Sequence, residues 1–364
     1  MIAKNRHING KIYRYGYTTG SCAAAVAKAA VSALLTGEFD DVVEIDTPAS
    51  VRLSISVFGY ENIDNGLQCY VVKDAGDDPD VTHGIKVFAR AQRNNLQKLV
   101  ITAGVGIGRV TKKGLQVAVG EAAINPTPMA MIIKEVTPLL KDNLGVTVEL
   151  SIPEGVGIAK RTFNERLGIM GGISVLGTSG LVVPMSDEAF KEALSLELSI
   201  LKERGVKEVV FTPGNYGERF LVTHLPHLED VTVTTSNFIG FMLHEAVRYE
   251  MRHILLVGHI GKLIKVAGGI FHTHSSVADA RCEIFAAHYF KYNSDAEGFM
   301  KIMESNTTEE AVGYVQDYTF FNEVAHTIKL KCQQHVHQRI EVDVLLFSME
   351  KGLLGKTKEM EEWK

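Results

Sequence analysis

The sequence predicts an α/β protein of two domains: an α+β domain over residues 1–153, then a Rossmann-like α/β domain with a mostly parallel sheet over 154–364. Three observations carry this. At 364 residues the chain exceeds what one core usually serves. The first part holds one alanine-rich helix and a series of β-branched runs. After Pro153 the rhythm becomes strand, glycine turn, helix, repeated, which is the pattern of a parallel sheet with helical crossovers.

In chain order, YTTGSCAAAVAKAAVSALLTG predicts a helix capped by Thr18, Thr19 or Ser21 and closed by Gly37. Its alanines suit close packing on a sheet, and its Thr/Ser-rich opening turn suits an anion. From Asp41 to Val87, VVEID, VRLSISVFG and LQCYVVKD read as strands, followed by KLVIT, a glycine-rich loop, a helix from NPTP to about Lys141, and VTVELSIP. In the second domain ISVLGTSG, EVVFTPGNYG, VTVTTSNFIG and HILLVGHIGK each pair a strand with a turn. Residues 276–338 are mostly helical, IEVDVLLFS is a last strand, and the charged tail after it is expected to fray.

Composition is globular, with 46% hydrophobic and 22% charged residues, and a formal charge of -5 excludes a general nucleic-acid binder. Cys22, Cys69, Cys282 and Cys332 form no CxxC pair, which fits reduced thiols better than a zinc or disulfide framework. The amino terminus lacks an apolar leader and no run of eighteen apolar residues occurs, so a cytoplasmic protein without a membrane partner is expected.

Several motifs look familiar and fail. AGVGIGRVTKKG follows a strand, but Gly114, Gly120, Pro126 and Pro128 leave little room for the helix a dinucleotide site requires. What remains is a loop whose Arg109, Lys112 and Lys113 suit carboxylates or phosphates. GHIGK lacks the phosphate-loop spacing, yet Gly258, His259, Gly261 and Lys262 sit where a strand ends, the usual ligand edge of an open α/β sheet. His272, His274 and Asp279 in FHTHSSVADAR are metal-ligand types without further ligands that the sequence assigns, and no protein-bound metal is expected. VVKDAGDDPDVTHG is not a calcium loop, since Thr82 and His83 stand where a ligand and a glycine belong.

Taken together, GYTTGSCAAA (16–25), VKDAGDDPDVTHG (72–84), GVGIGRVTKKGL (104–115), GEAAINPTPMAMI (120–132), AKRTFNERLGIMGGISVLGTSGLVVPMS (159–186), PGNYG (213–217), SNFIG (236–240) and GHIGKLIKVAGGIFHTHSSVADARCE (258–283) resemble the cobalt-precorrin-5B C1-methyltransferase family of anaerobic cobalamin biosynthesis. The likeness spans roughly residues 12–355. It implies methyl transfer from the cosubstrate S-adenosylmethionine to carbon one of a tetrapyrrole that carries its own cobalt, giving cobalt-precorrin-6A. The chain lacks the acidic residue and GxGxG turn of the commonest sheets that bind this cosubstrate.

On that reading, positioned donors must meet the carboxylates of the macrocycle: Thr18, Thr19, Ser21, Arg109, Lys112 and Lys262, with Arg161 and Arg166 as further cations. Gly177, Thr178, Ser179, Gly180, Gly214, Asn215, Asn237, Gly258, His259 and Gly261 are the expected cosubstrate contacts, mainly in the carboxyl-terminal sheet, with substrate across an interdomain cleft. Asp74, Asp77 and His83 are the candidates for proton transfer. Two alternatives stay open: a metal-dependent hydrolase on His259, His272, His274 and Asp279, and a non-catalytic tetrapyrrole-binding protein. The sequence also admits a homo-oligomer.

Overall fold

The computed structural model describes residues 5–8, 10–140, 144–359 and 363. It divides into two compact units, Met1–Asp187 and Glu188–Lys364. The expected boundary at 153/154 therefore falls inside the first unit.

The first unit is built on a six-stranded sheet in the order Val42–Asp46, Arg52–Ile63, Gly66–Val72, Lys86–Asn94, Gly145–Ser151, Leu99–Ala103. All neighbours are antiparallel except the last pair. Alternation selects the faces: Leu53, Ile55 and Val57 are buried while Ser54, Ser56 and Phe58 point outward. The helix Thr19–Thr36 covers the inner face, with Thr18 accepting the Ser21 amide at its start and left-handed Gly37 at its end, as the sequence predicts. By composition it is long and apolar enough to cross a bilayer. Here it is the core of the unit, because Cys22 to Ala27 are wholly buried and their small side chains let the sheet approach closely.

The strand Lys86–Asn94, central to this sheet, has no counterpart among the sequence-predicted strands. Residues 169–182 do not start a second-domain sheet. Leu181–Val182 pairs with Gly16–Tyr17, Gly172–Ile173 with Gly106–Ile107, and Ile169–Met170 with Arg109–Val110, so this stretch closes the first unit. The helix from NPTP runs Pro126–Val136 and stops short of the expected end; residue 141 lies outside the described residues.

The second unit holds a five-stranded sheet in the order Thr232–Thr234, Glu208–Thr212, His253–His259, Glu341–Ser348, Gly352–Lys356. The first four are parallel and the last is antiparallel. Both faces are buried, which explains the continuous apolar runs: Val209, Phe211, Ile254, Leu256 and Val344 face one core, and Val210, Leu255, Val257 and Leu345 the other. Counted along the chain, the sheet order is second, first, third, fourth. The direction of winding therefore reverses between Glu208–Thr212 and His253–His259. Part of the expected frayed tail is ordered: Gly352–Lys356 forms the edge strand and Trp363 is 5% exposed, while 360–362 and 364 lie outside the described residues.

Candidate functional site

The acidic turn of the first unit finds its countercharges within that unit. Lys73 ends an apolar strand and is 2% exposed, a position no ammonium holds without a partner. Its Nζ donates to Asp80 Oδ2 at 2.5 Å, and Asp80 Oδ1 accepts from the Thr82 amide and hydroxyl. Burial pushes the Asp80 carboxyl up, but Lys73 and Thr82 together outweigh it and hold the group below its ordinary range. Arg14 clamps Asp74 with two bonds of 2.5 and 2.8 Å, and this contact holds Asp74 below the usual carboxylate range. Asp77 accepts the Arg14 amide, Asp78 accepts the Met185 amide, and burial raises the Asp78 carboxyl. Gly76, at φ +67°, passes so near the Arg14 carbonyl that a Cβ would lie 2.2 Å from its oxygen.

The four aspartates thus face cations and amides of their own unit. Asp74 and Asp77, the sequence candidates for proton transfer, are engaged in holding the strand Lys11–Arg14 against the turn. His83 accepts the Ala75 amide at Nδ1, which places its proton on Nε2.

Thr18, Thr19 and Ser21 are likewise turned inward. Their exposures are 6%, 4% and 0%. The Thr19 hydroxyl donates to Leu176 O, Ser21 Oγ to Gly180 O, and the Gly20 amide to Leu176 O. The opening turn that suited an anion is plugged by the 176–180 loop, and Gly177 to Gly180 belong to the first unit, against that helix, whereas the remaining expected cosubstrate contacts belong to the second unit. Arg109 donates to Gly120 O and Lys112 to Arg166 O, both from exposed side chains.

The remaining candidates meet at the carboxyl edge of the parallel sheet in the second unit. Pro213, Gly214 and Asn215 follow one central strand, and His259, Gly261 and Lys262 follow the other. Lys262 Nζ donates to Pro213 O at 2.5 Å, and burial pushes its amine down from the ordinary lysine range. Asn215 opens the helix Asn215–His224, whose start has no side-chain cap. Asn237, at the next strand end, holds the 270–281 loop through its carbonyl and the Thr273 amide. The Thr212 and Thr235 hydroxyls at these strand ends are buried and have no hydrogen-bond partner among the described residues. Ordinary practice in folded proteins is to pair such groups, so polar capacity is held in reserve here.

His259 has both ring nitrogens engaged: Nδ1 accepts the Gly261 amide at 3.1 Å and Nε2 donates to Glu309 at 2.5 Å. Asp279 pairs with Arg281 at 2.6 Å, and His274 Nδ1 bonds Ser276. Among the described residues, three metal-ligand types converge only at His253, Glu341 and Asp343, at the opposite edge of the sheet. There the Lys329 ammonium already lies 2.9 Å from Asp343. Sequence reasoning missed Arg14, Lys73 and Glu309. A lysine closing an apolar strand beside four aspartates was a readable signal; nothing local pointed to Glu309, fifty positions from His259.

An open, mostly parallel sheet with its winding reversed beside two glycine turns defines a doubly wound α/β unit, a class of fold whose ligands generally gather at the carboxyl ends of the strands. The family model described as CbiD matches residues 6–184, and that described as CbiD, C-terminal domain matches 272–358. The cobalt-precorrin-5B C(1)-methyltransferase of Thermoanaerobacter sp. (strain X514) is 47% identical over 362 residues, covering 97% of this chain and 98% of its own. Its counterpart from Thermosipho africanus (strain TCF52B) is 46% identical, covering 95% and 98%. The crystal structure of the cobalamin biosynthesis protein (cbiD) from Archaeoglobus fulgidus aligns over 76% of this chain and 87% of that one, at 26% identity and a TM-score of 0.41. The chain belongs to the cobalt-precorrin-5B C(1)-methyltransferase family, CbiD.

Proposed function

We propose that this chain transfers a methyl group from S-adenosylmethionine to C-1 of cobalt-precorrin-5B, giving cobalt-precorrin-6A and S-adenosylhomocysteine. The observation that carries the reading is its 47% identity, over 97% of its length, to an enzyme bearing that name. In the transfer, the electron pair of the macrocycle carbon forms the new bond as the carbon–sulfur bond breaks, and sulfur leaves as a neutral thioether. The methyl is already electrophilic, so the protein's work is alignment of the reacting atoms and exclusion of water. No covalent relay is needed, and none is offered by Cys22, Cys69 and Cys332, whose burial pushes each thiol up to about 12.

The cosubstrate site in this reading is the carboxyl edge of the second unit's sheet. Its amino-acid carboxylate meets Lys262 and the amino terminus of Asn215–His224, and Gly214, Asn237, Gly258 and Gly261 supply close backbone and amide contacts. Arg109 and Lys112 serve the carboxylates of the macrocycle, since each side chain has donors beyond those it gives to Gly120 O and Arg166 O. Cobalt enters with the substrate. Asp74 and Asp77 act as supports for the fold, so no proton-transfer step is assigned to them.

Isothermal titration with S-adenosylhomocysteine, paired with mass detection of one added methyl group on the corrinoid, tests the reading. Saturable binding that weakens in Asn215→Ala and Lys262→Ala is expected. Tetrapyrrole binding without any affinity for the cosubstrate would mark a carrier instead. A hydrolase built on His259, His272, His274 and Asp279 has no geometric support, because His259 and Asp279 are committed to Glu309 and Arg281.

A further inference from the structure

Glu309 lies in the first turn of a short helix, Thr308–Gly313, remote in sequence from every glycine turn discussed above. Both of its carboxylate oxygens are engaged. Oε1 accepts His259 Nε2–H at 2.5 Å and the Met349 amide at 2.9 Å, and Oε2 accepts the Ser348 hydroxyl at 2.7 Å. Ser348 Oγ in turn accepts the Glu350 and Lys351 amides. One carboxylate therefore joins the ends of two neighbouring parallel strands, His253–His259 and Glu341–Ser348. The link continues past His259, because its Nδ1 caps the following helix by accepting the Gly261 amide at 3.1 Å. Since Nδ1 must present a lone pair there, the ring proton sits on Nε2, where only an acceptor such as Glu309 suits it. Burial pushes Glu309 up, but the donors from Met349, Ser348 and His259 outweigh burial and keep it ionised below its ordinary range. The helix tip also seats against the turn: a Cβ on Gly261 would come within 2.9 Å of Thr308 Oγ1.

We infer that Glu309 is a positioning residue for the cosubstrate turn: it fixes the His259 tautomer and thereby the backbone of Gly261 and Lys262. This rests on the cosubstrate site proposed above. A carboxylate retained only to steady the fold would not tie ligand affinity to the protonation pattern of one imidazole.

Three variants, Glu309→Ala, Glu309→Gln and Asn215→Ala, are compared with the wild type by titration with S-adenosylhomocysteine and by nitrogen NMR of histidine-labelled protein, with His259→Asn assigning the signal. Glu309→Ala is expected to weaken binding about tenfold, the scale of one lost hydrogen bond to a charged group, and to convert the His259 signal from a single tautomer to a mixture. Glu309→Gln keeps an oxygen for both His259 and Met349 and should bind within about threefold of wild type. Unchanged affinity in Glu309→Ala while Asn215→Ala weakens binding overturns the inference alone, as does an unchanged His259 signal. Unchanged affinity in both variants overturns the cosubstrate site and the inference with it.

Discussion

Replacing Lys73 with Met removes the ammonium and keeps the volume of its stem in the core. Lys73 is 2% exposed, and its partner Asp80 retains 25% side-chain exposure. Removing one member of a buried pair costs about 3–5 kcal/mol. The lower end applies, about 3 kcal/mol, because Asp80 keeps both Thr82 donors at Oδ1. In a unit of this size each kcal/mol moves the melting temperature by about 2–4 °C, so a loss of about 10 °C is expected in the transition of the first unit. The pH dependence has a definite sign. In the wild type Asp80 titrates below its ordinary value, so its contribution is present above the unfolded carboxylate pKa of about 4 and fades as pH falls through the folded value. In Lys73→Met the same burial acts without the ammonium and raises the carboxyl, which penalises the ionised form at neutral pH. The stability gap should therefore be widest near neutrality and close below about pH 4. Calorimetry of both proteins across that range is the assay. A Lys73→Met melting temperature equal to wild type at neutral pH, or a gap that widens on acidification, would refute the pairing and its electrostatic account.

Other outcomes follow from the same geometry. Asp74→Ala should cost about 1–2 kcal/mol through the half-exposed Arg14 pair, yet leave single-turnover methylation within about twofold; a collapse in rate with an unchanged melting temperature would return Asp74 to the chemistry. Gly106→Ala sets a Cβ 1.7 Å from the Ile152 carbonyl oxygen at φ +80°, so urea unfolding should report a loss of about 3 kcal/mol or more; an unchanged midpoint would contradict that close approach. Thiol titration of the native protein should label Cys282 first, with Cys22, Cys69 and Cys332 reacting only on unfolding; equal rates for all four would show the cores to be open.

Local chemistry made much of this protein legible from its sequence. Thr18 and Gly37 bound the first helix because cap and left-handed glycine act within a turn of the residues they close. The runs VVF, ILLV and VLLF read as parallel strands because a sheet covered on both faces needs apolar side chains at every position. The strand-end turns at 213–215 and 258–262 followed from the geometry of such sheets.

Tertiary structure alone decided the rest. Lys86–Asn94 is a central strand although Ala89 and Ala91 favour strands weakly; small residues are required there because an alanine helix lies against them. Residues 154–187 belong to the first unit because short strands pair with partners 59 to 166 positions earlier, a choice no local periodicity encodes. The acidic turn looked catalytic because its countercharge was out of view: Arg14 meets Asp74 from sixty positions away, and Glu309 meets His259 from fifty. A carboxylate's role depends on what stands opposite it, and only folding brings those partners within 3 Å.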